Sequence, residues 1–208
     1  MKLLVLLFSL IIVQNCFAQI KTIKLEKTAI PENVKYSGDY VEATSWVDGA
    51  GKHIVLLTAD NITQSNTDNG ERDNNAALYA FHYLVSGSNV KQLWKIYDYV
   101  KDCPVDIDLY FIDKTLRVTD LNKDGKAEIW IMYKNSCHGD VSPVPMKIIM
   151  YEDNRKFAVR GSTKVKVSET EYIGGEFVFD SAFKKAPTVF RQYAADLWKQ
   201  HILETWGQ

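Results

Sequence analysis

The sequence predicts a mainly β fold: a duplicated antiparallel β-hairpin meander, propeller-blade-like in its units, closed by one C-terminal amphipathic α-helix. Three observations carry this. Apolar residues recur mostly at a period of two, in short runs rich in β-branched and aromatic side chains. Gly, Asn, Asp and Pro bound those runs, and these are the residues that turn a chain between strands. Only from Pro187 onward does the period lengthen to three and four.

The chain opens with Lys2, an apolar run over residues 3–13, and Cys16-Phe17-Ala18 before Gln19. This is the layout of a secretory signal peptide, residues 1–18, and it leaves a single β-rich domain over 19–208 for export to the periplasm or the cell surface. Small Cys16 and Ala18 suit ordinary cleavage, and lipid attachment at Cys16 is the lesser alternative. No later segment reaches the roughly 20 apolar residues of a transmembrane helix. The formal net charge is −1 and the basic residues form no tract, so a nucleic-acid partner has no electrostatic support.

Four hairpins follow. Residues 41–47 and 54–58 flank Asp48-Gly49-Ala50-Gly51, and residues 78–85 and 91–99 flank Ser86-Gly87-Ser88. Residues 109–119 and 128–133 flank an oxygen-rich loop, and residues 146–151 and 156–160 flank Asp153-Asn154. The hairpins fall into two similar halves, about 36–108 and 109–185, each with an Asp/Gly turn feeding an apolar strand. Degenerate duplication is one reading and chance likeness of hairpins the other. Between the strands of the first half, residues 60–75 are crowded with Asn, Asp, Ser and Thr and are expected to form an exposed loop, most simply a solvated connection, with the lesser alternative that its amides and carboxylates meet a sugar or ion. Residues 135–145 are its stiffer counterpart.

The most specific motif is Asp120-Leu121-Asn122-Lys123-Asp124-Gly125-Lys126-Ala127-Glu128. Asp120, Asn122, Asp124 and Glu128 can aim hard oxygens at one centre while Gly125 takes the sharp turn, which makes structural Ca2+ the expected cofactor. The first half lacks equivalents of Asn122 and Glu128, so it is not expected to bind metal. Cys103 and Cys137 are the thiols left after the leader; in an exported chain they are expected to form a disulfide, with two free buried thiols as the alternative.

His138 beside Asp140 invites an enzymatic reading, with imidazole as acid or base. No nucleophile elbow, paired metal-type histidines or phosphate loop accompanies it, so a loop histidine beside the cysteine bridge is the plainer reading. His53, His82 and His201 carry no spacing signal. The closing helix is expected over 187–206, with Pro187 in its first turn and the stripe Phe190, Tyr193, Ala194, Leu197 and Trp198 packing on a sheet rather than a membrane.

The stretch Asp120 to Ile131 resembles the calcium loop of the FG-GAP and VCBS repeat proteins, extracellular β-propeller modules with acids or amides at the first, third, fifth and ninth places. That similarity implies side-chain oxygens from Asp120, Asn122, Asp124 and Glu128 and a carbonyl from Lys126. More broadly, the Phe-Ala-Gln cut site, Asp124-Gly125-Lys126-Ala127-Glu128-Ile129-Trp130 and Cys137-His138-Gly139-Asp140-Val141-Ser142-Pro143, followed by Met146-Lys147-Ile148-Ile149-Met150-Tyr151, resemble flavobacterial exported proteins labelled as surface polysaccharide biosynthesis proteins. The resemblance implies a non-catalytic envelope role in polysaccharide production or display, with a glycan or an assembly protein as partner. The alternative is a glycan-acting hydrolase or lyase using His138 and Asp140.

Overall fold

A computed structural model describes residues 20–66 and 72–204, so the expected leader lies outside the described residues. The fold is mainly β and antiparallel. Six strands form a first sheet: β1 (Ile23–Lys24), β2 (Asp39–Asp48), β3 (Gly51–Ala59), β4 (Thr63–Asn66), β5 (Arg72–Ser86) and β6 (Asn89–Cys103). Strand β5 takes β6 along one side and β3, then β4, along the other. Gly51 takes φ 142° at the β2–β3 turn, and a Cβ there would stand 2.8 Å from the Val85 carbonyl oxygen on β5, so glycine is what admits β5 this close to the start of β3.

The second sheet follows from β7 (Ile107–Phe111), β8 (Arg117–Thr119), β9 (Glu128–Cys137), β10 (Pro145–Glu152) and β11 (Arg155–Ser162). After the small ribbon of β12 (Lys164–Lys166) and β13 (Tyr172–Gly174), β14 (Phe177–Phe179) joins the edge of β11. Two helices end the fold, α1 (Ser181–Lys184) and α2 (Thr188–His201). The Asp180 carboxylate caps α1 by accepting the Phe183 N–H at 2.8 Å.

All four expected hairpins are present, as β2–β3, β5–β6, β8–β9 and β10–β11. Three details differ from expectation. Residues 109–119 are two strands, not one, because the chain turns at Asp113-Lys114, where Lys114 has φ 61°, and the Thr115 hydroxyl donates to the Ile112 carbonyl; β7 and β8 then pair with successive parts of β9. The polar stretch after Asp60 is partly strand: β4 pairs with the start of β5, since polar side chains suit an edge strand whose backbone still bonds to its neighbour. Likewise Asn135, Ser136 and Cys137 belong to β9.

The last helix ends at His201 rather than 206. Lys164 N–H donates to the Ile202 carbonyl and Glu204 N–H to the Lys164 carbonyl, which draws the chain out of the helix into a bridge with β12. Glu204 then forms a buried ion pair with Lys134 of β9. Pro187 stands one residue before the helix, at its cap.

The two sheets face one another across a core of Trp46, Val55, Leu57, Leu78 and Ile96 against Ile129, Ile131, Ile149 and Tyr151. Trp94 and Tyr151 stack across it with ring centroids 4.3 Å apart. The outer face of the second sheet is covered by Phe183, Phe190, Ala194, Leu197 and Trp198 of the helices. Burial on both faces explains why Ile129, Trp130, Ile131 and Met132 run apolar without alternation. The outer face of the first sheet is covered only in part, by Leu25 and Val34 over Ile54, Leu56 and Phe81. A disulfide between Cys103 and Cys137, Cα atoms 5.6 Å apart, ties the end of β6 to the end of β9. Among the described residues no helix is long and apolar enough to cross a membrane.

Candidate functional site

The oxygen-rich loop connects β8 to β9 and is folded by its own side chains. Asp120 Oδ2 accepts the Gly125 N–H at 3.2 Å, Asn122 Oδ1 the Asp124 N–H at 3.2 Å, and Asp124 Oδ1 the Lys126 N–H at 3.0 Å. Gly125 holds φ 82° at the turn. Glu128 is fully buried at the start of β9; its carboxylate accepts the Leu121 N–H at 2.9 Å and the Thr119 hydroxyl at 2.7 Å, while Trp130 Nε1 donates to that hydroxyl at 2.8 Å. Burial pushes its carboxyl above the ordinary range.

Glu152 stands directly across from Glu128 in the β9–β10 register and accepts from Asn122 Nδ2 at 3.0 Å; burial and the charge of Asp124 raise its pKa too. Like charges opposite one another on a sheet repel. The donor set is all oxygen and suits a hard cation, and Asp120 Oδ1 is buried with no partner. The carboxylates are at present turned to their own backbone, and among the described residues no three His, Cys, Asp or Glu side chains already converge on a metal position.

His138 follows the disulfide at the end of β9. Its Nδ1 lies 3.4 Å from Asp108 Oδ2, and its Nε2 lies 3.5 Å from Asp140 Oδ1 and 3.2 Å from the Ser142 carbonyl. Asp140 is exposed and caps its own loop, accepting the Ser142 N–H at 2.9 Å. The imidazole is thus wedged between neighbours that hold the 138–144 loop.

Sequence reasoning missed two features. The first is a tyrosine face on the uncovered part of the first sheet. Tyr97 of β6 pairs with Tyr79 of β5, and their rings stack at 5.2 Å; Tyr99, one pleat along, stacks on Tyr97 at 5.3 Å. Tyr97 and Tyr99 are 55% and 53% exposed. Beside them runs a groove of about 510 Å³, bordered by Asp60, Asn61, Thr63 and Asn75. Tyr79 donates its hydroxyl to Asp60 Oδ2 at 2.9 Å; burial and that bond push its pKa up to about 12. Lys95 Nζ lies 4.8 Å above the Tyr79 ring. The signal was the alternation of Tyr97 and Tyr99 with Ile96 and Val100, but alternation does not reveal which face stays open.

The second is a buried histidine pair on the inner face of the same sheet. His53 Nδ1 and His82 Nε2 are 2.9 Å apart, and His53 Nε2 lies 3.0 Å from Asp48 Oδ2, near enough for an ion pair though off the line of a straight hydrogen bond. Trp46 stacks on His53 at 4.8 Å, nearly parallel. Burial and the neighbouring His53 depress the His82 pKa to about 3. Burial opposes ionisation of Asp48, but the Ala50 N–H and His53 outweigh it and hold its pKa below the ordinary value. The pair was invisible because residues 53 and 82 meet only through the β3–β5 register, where His82 faces Val55. Comparison of the chain with family models, with curated proteins and with solved structures returned no match.

Proposed function

We propose that this is an exported, non-catalytic protein of the cell envelope that binds a glycan on the outer face of its first sheet, and that it contributes in this way to surface polysaccharide biosynthesis or display. The observation that carries the reading is the row of stacked, exposed tyrosines beside a groove bordered by carboxylate and amides. A pyranose ring has an apolar C–H face and an equatorial rim of hydroxyls. The negative face of a tyrosine ring attracts those C–H groups, and the oxygens that Asp60 and Asn61 keep beside their bonds to Tyr79 and Asp39 can accept from the hydroxyl rim. Monomeric proteins rarely leave large aromatic side chains grouped in water without a partner for them.

The β8–β9 loop is read as a structural calcium site. Side-chain oxygens of Asp120, Asn122, Asp124 and Glu128 and the carbonyl of Lys126 would hold the ion, which would neutralise the repelling carboxylates and fix the loop against β9. Its support is the all-oxygen donor set and the unpartnered Asp120 Oδ1. The alternative, a glycan hydrolase or lyase using His138 and Asp140, has less behind it, because the imidazole is packed among Asp108, Asp140 and the Ser142 carbonyl that order its own loop.

The test is calorimetric titration of the purified mature chain with surface polysaccharide isolated from the producing cells. Tyr97→Ala and Tyr99→Ala should each weaken binding at least roughly tenfold, equivalent to about 1.4 kcal/mol, without moving the melting temperature. Undiminished binding in the double variant would sink the assignment, and turnover of the polysaccharide lost in His138→Ala would favour the enzyme instead.

A further inference from the structure

The outer face of β6 carries one further pattern. Residues 95, 97, 99 and 101 read Lys-Tyr-Tyr-Lys at alternate positions of the strand, so the two stacked tyrosines have a lysine before them and a lysine after them. At about 3.4 Å per residue the lysines frame about 20 Å of sheet surface, more than one sugar ring covers. Both lysines are exposed.

They are held differently. Lys95 Nζ stands 4.8 Å from the centre of the Tyr79 ring, 5.3 Å from that of Phe81 and 5.5 Å from that of Tyr97. Three ring faces keep its charge in place, and among the described residues it has no carboxylate partner. Lys101 lines the groove with Tyr99, and exposed Asp102, 3.3 Å away, offsets its charge in part. Asp60 lies on the β3 side of β5, where its Oδ2 accepts the Tyr79 hydroxyl, whereas Lys95 lies on the β6 side. The face is thus polarised, with ammonium groups along β6 and a carboxylate across the rings from them. Lysine on an edge strand also deters pairing with other chains, but that role needs only the charge and calls for no contact with rings. A lysine pinned over aromatic faces has already lost side-chain freedom, so it meets an anion at less entropic cost than a free surface lysine does.

We infer that the glycan held on the tyrosine face is acidic: a uronate-type sugar stacks on Tyr97 with its ring carboxylate against Lys95 Nζ and its hydroxyls turned to Asp60, and a further carboxylate along the glycan meets Lys101. The inference rests on the glycan reading and adds to it the charge of the ligand. Asp60 repels a carboxylate, so charge also sets which way round the sugar lies on the rings.

Two forms of one probe test this: the surface polysaccharide isolated from the producing cells, untreated and after carbodiimide and borohydride reduction of its uronate carboxyls to alcohols. Reduction removes the charge and keeps the sugar rings. In calorimetric titration of the mature chain, the untreated form should bind roughly fivefold more tightly than the reduced one. Lys95→Met should lose about three- to fivefold in affinity for the untreated form, the scale of an exposed ion pair, without moving the melting temperature. The advantage of the untreated form should shrink as salt rises from about 0.05 to about 0.5 M. Equal binding of the two forms, or undiminished affinity in Lys95→Met, overturns the inference, and the comparison of the two forms decides even if the variant is destabilised. Tyr97→Ala, run in the same series, separates the two readings: weakened binding there leaves the glycan face standing without its preference for acid, and unchanged binding removes both.

Discussion

His82 is an imidazole whose environment opposes its charge. Its folded pKa, about 3, lies below the ordinary 6.5, so between those values the unfolded chain binds a proton that the folded chain refuses. Stability is therefore unaffected by this group above pH 6.5 and falls as pH drops through the window, by at most about 1.4 kcal/mol per unit. The melting temperature of the wild type should decline between pH 6.5 and 4 more steeply than that of His82→Phe; parallel profiles would mean that the pair is not the acid-sensitive group. Tyrosines differ in kind, because those at 97 and 99 are exposed and truncating them should cost binding and little stability.

At the scale of elements, the β8–β9 loop and the β9–β10 register set four acids against one another: Asp124, Glu128, Glu152 and, at the turn, Asp153. Because the pKa values of Glu128 and Glu152 are raised, the folded state binds more protons than the unfolded one just above the ordinary carboxyl range, and stability falls as pH rises through that window. A bound cation would remove this cost. Hence Glu152→Gln should raise the melting temperature in chelator and shrink the gain on adding calcium. Asp124→Ala should lower the melting temperature by more with calcium present than in chelator, where only its bond to the Lys126 N–H is lost, and an equal loss in both would rule out the metal. The disulfide joins the end of β6 in the first sheet to the end of β9 in the second. Closing its 34-residue separation stabilises by about 3–4 kcal/mol in the chain-entropy account, to be read as a shift of the urea midpoint on reduction.

For the whole molecule, the decisive fact is layering: a partial N-terminal cover, two facing sheets and a helical cover over the second. The second sheet is buried on both faces, so α2 is required for its solubility, whereas the first keeps an open area on which the tyrosines stand. Trp198, fully buried beneath α2, is the natural probe of this dependence. Trp198→Ala should cost about 3–5 kcal/mol by the usual measure for a large core aromatic, measured by chemical denaturation, and should expose apolar surface that binds a hydrophobic dye.

The mainly β class and its four hairpins were legible in the residues because turn chemistry and period-two alternation are local. The closing helix was legible for the same reason, from the three-and-four spacing of Phe190, Ala194, Leu197 and Trp198. Cys103 and Cys137 could be paired because the one other cysteine, Cys16, falls in the expected leader. What lay beyond reach needed contacts between distant strands: the meeting of His53 with His82 through the β3–β5 register, the opposition of Glu128 and Glu152 through β9–β10, and the break of β7 from β8 at Lys114. The open tyrosine face lay beyond reach as well. Alternation assigns residues to two faces of a strand, but only the packed molecule decides which of those faces another layer will cover.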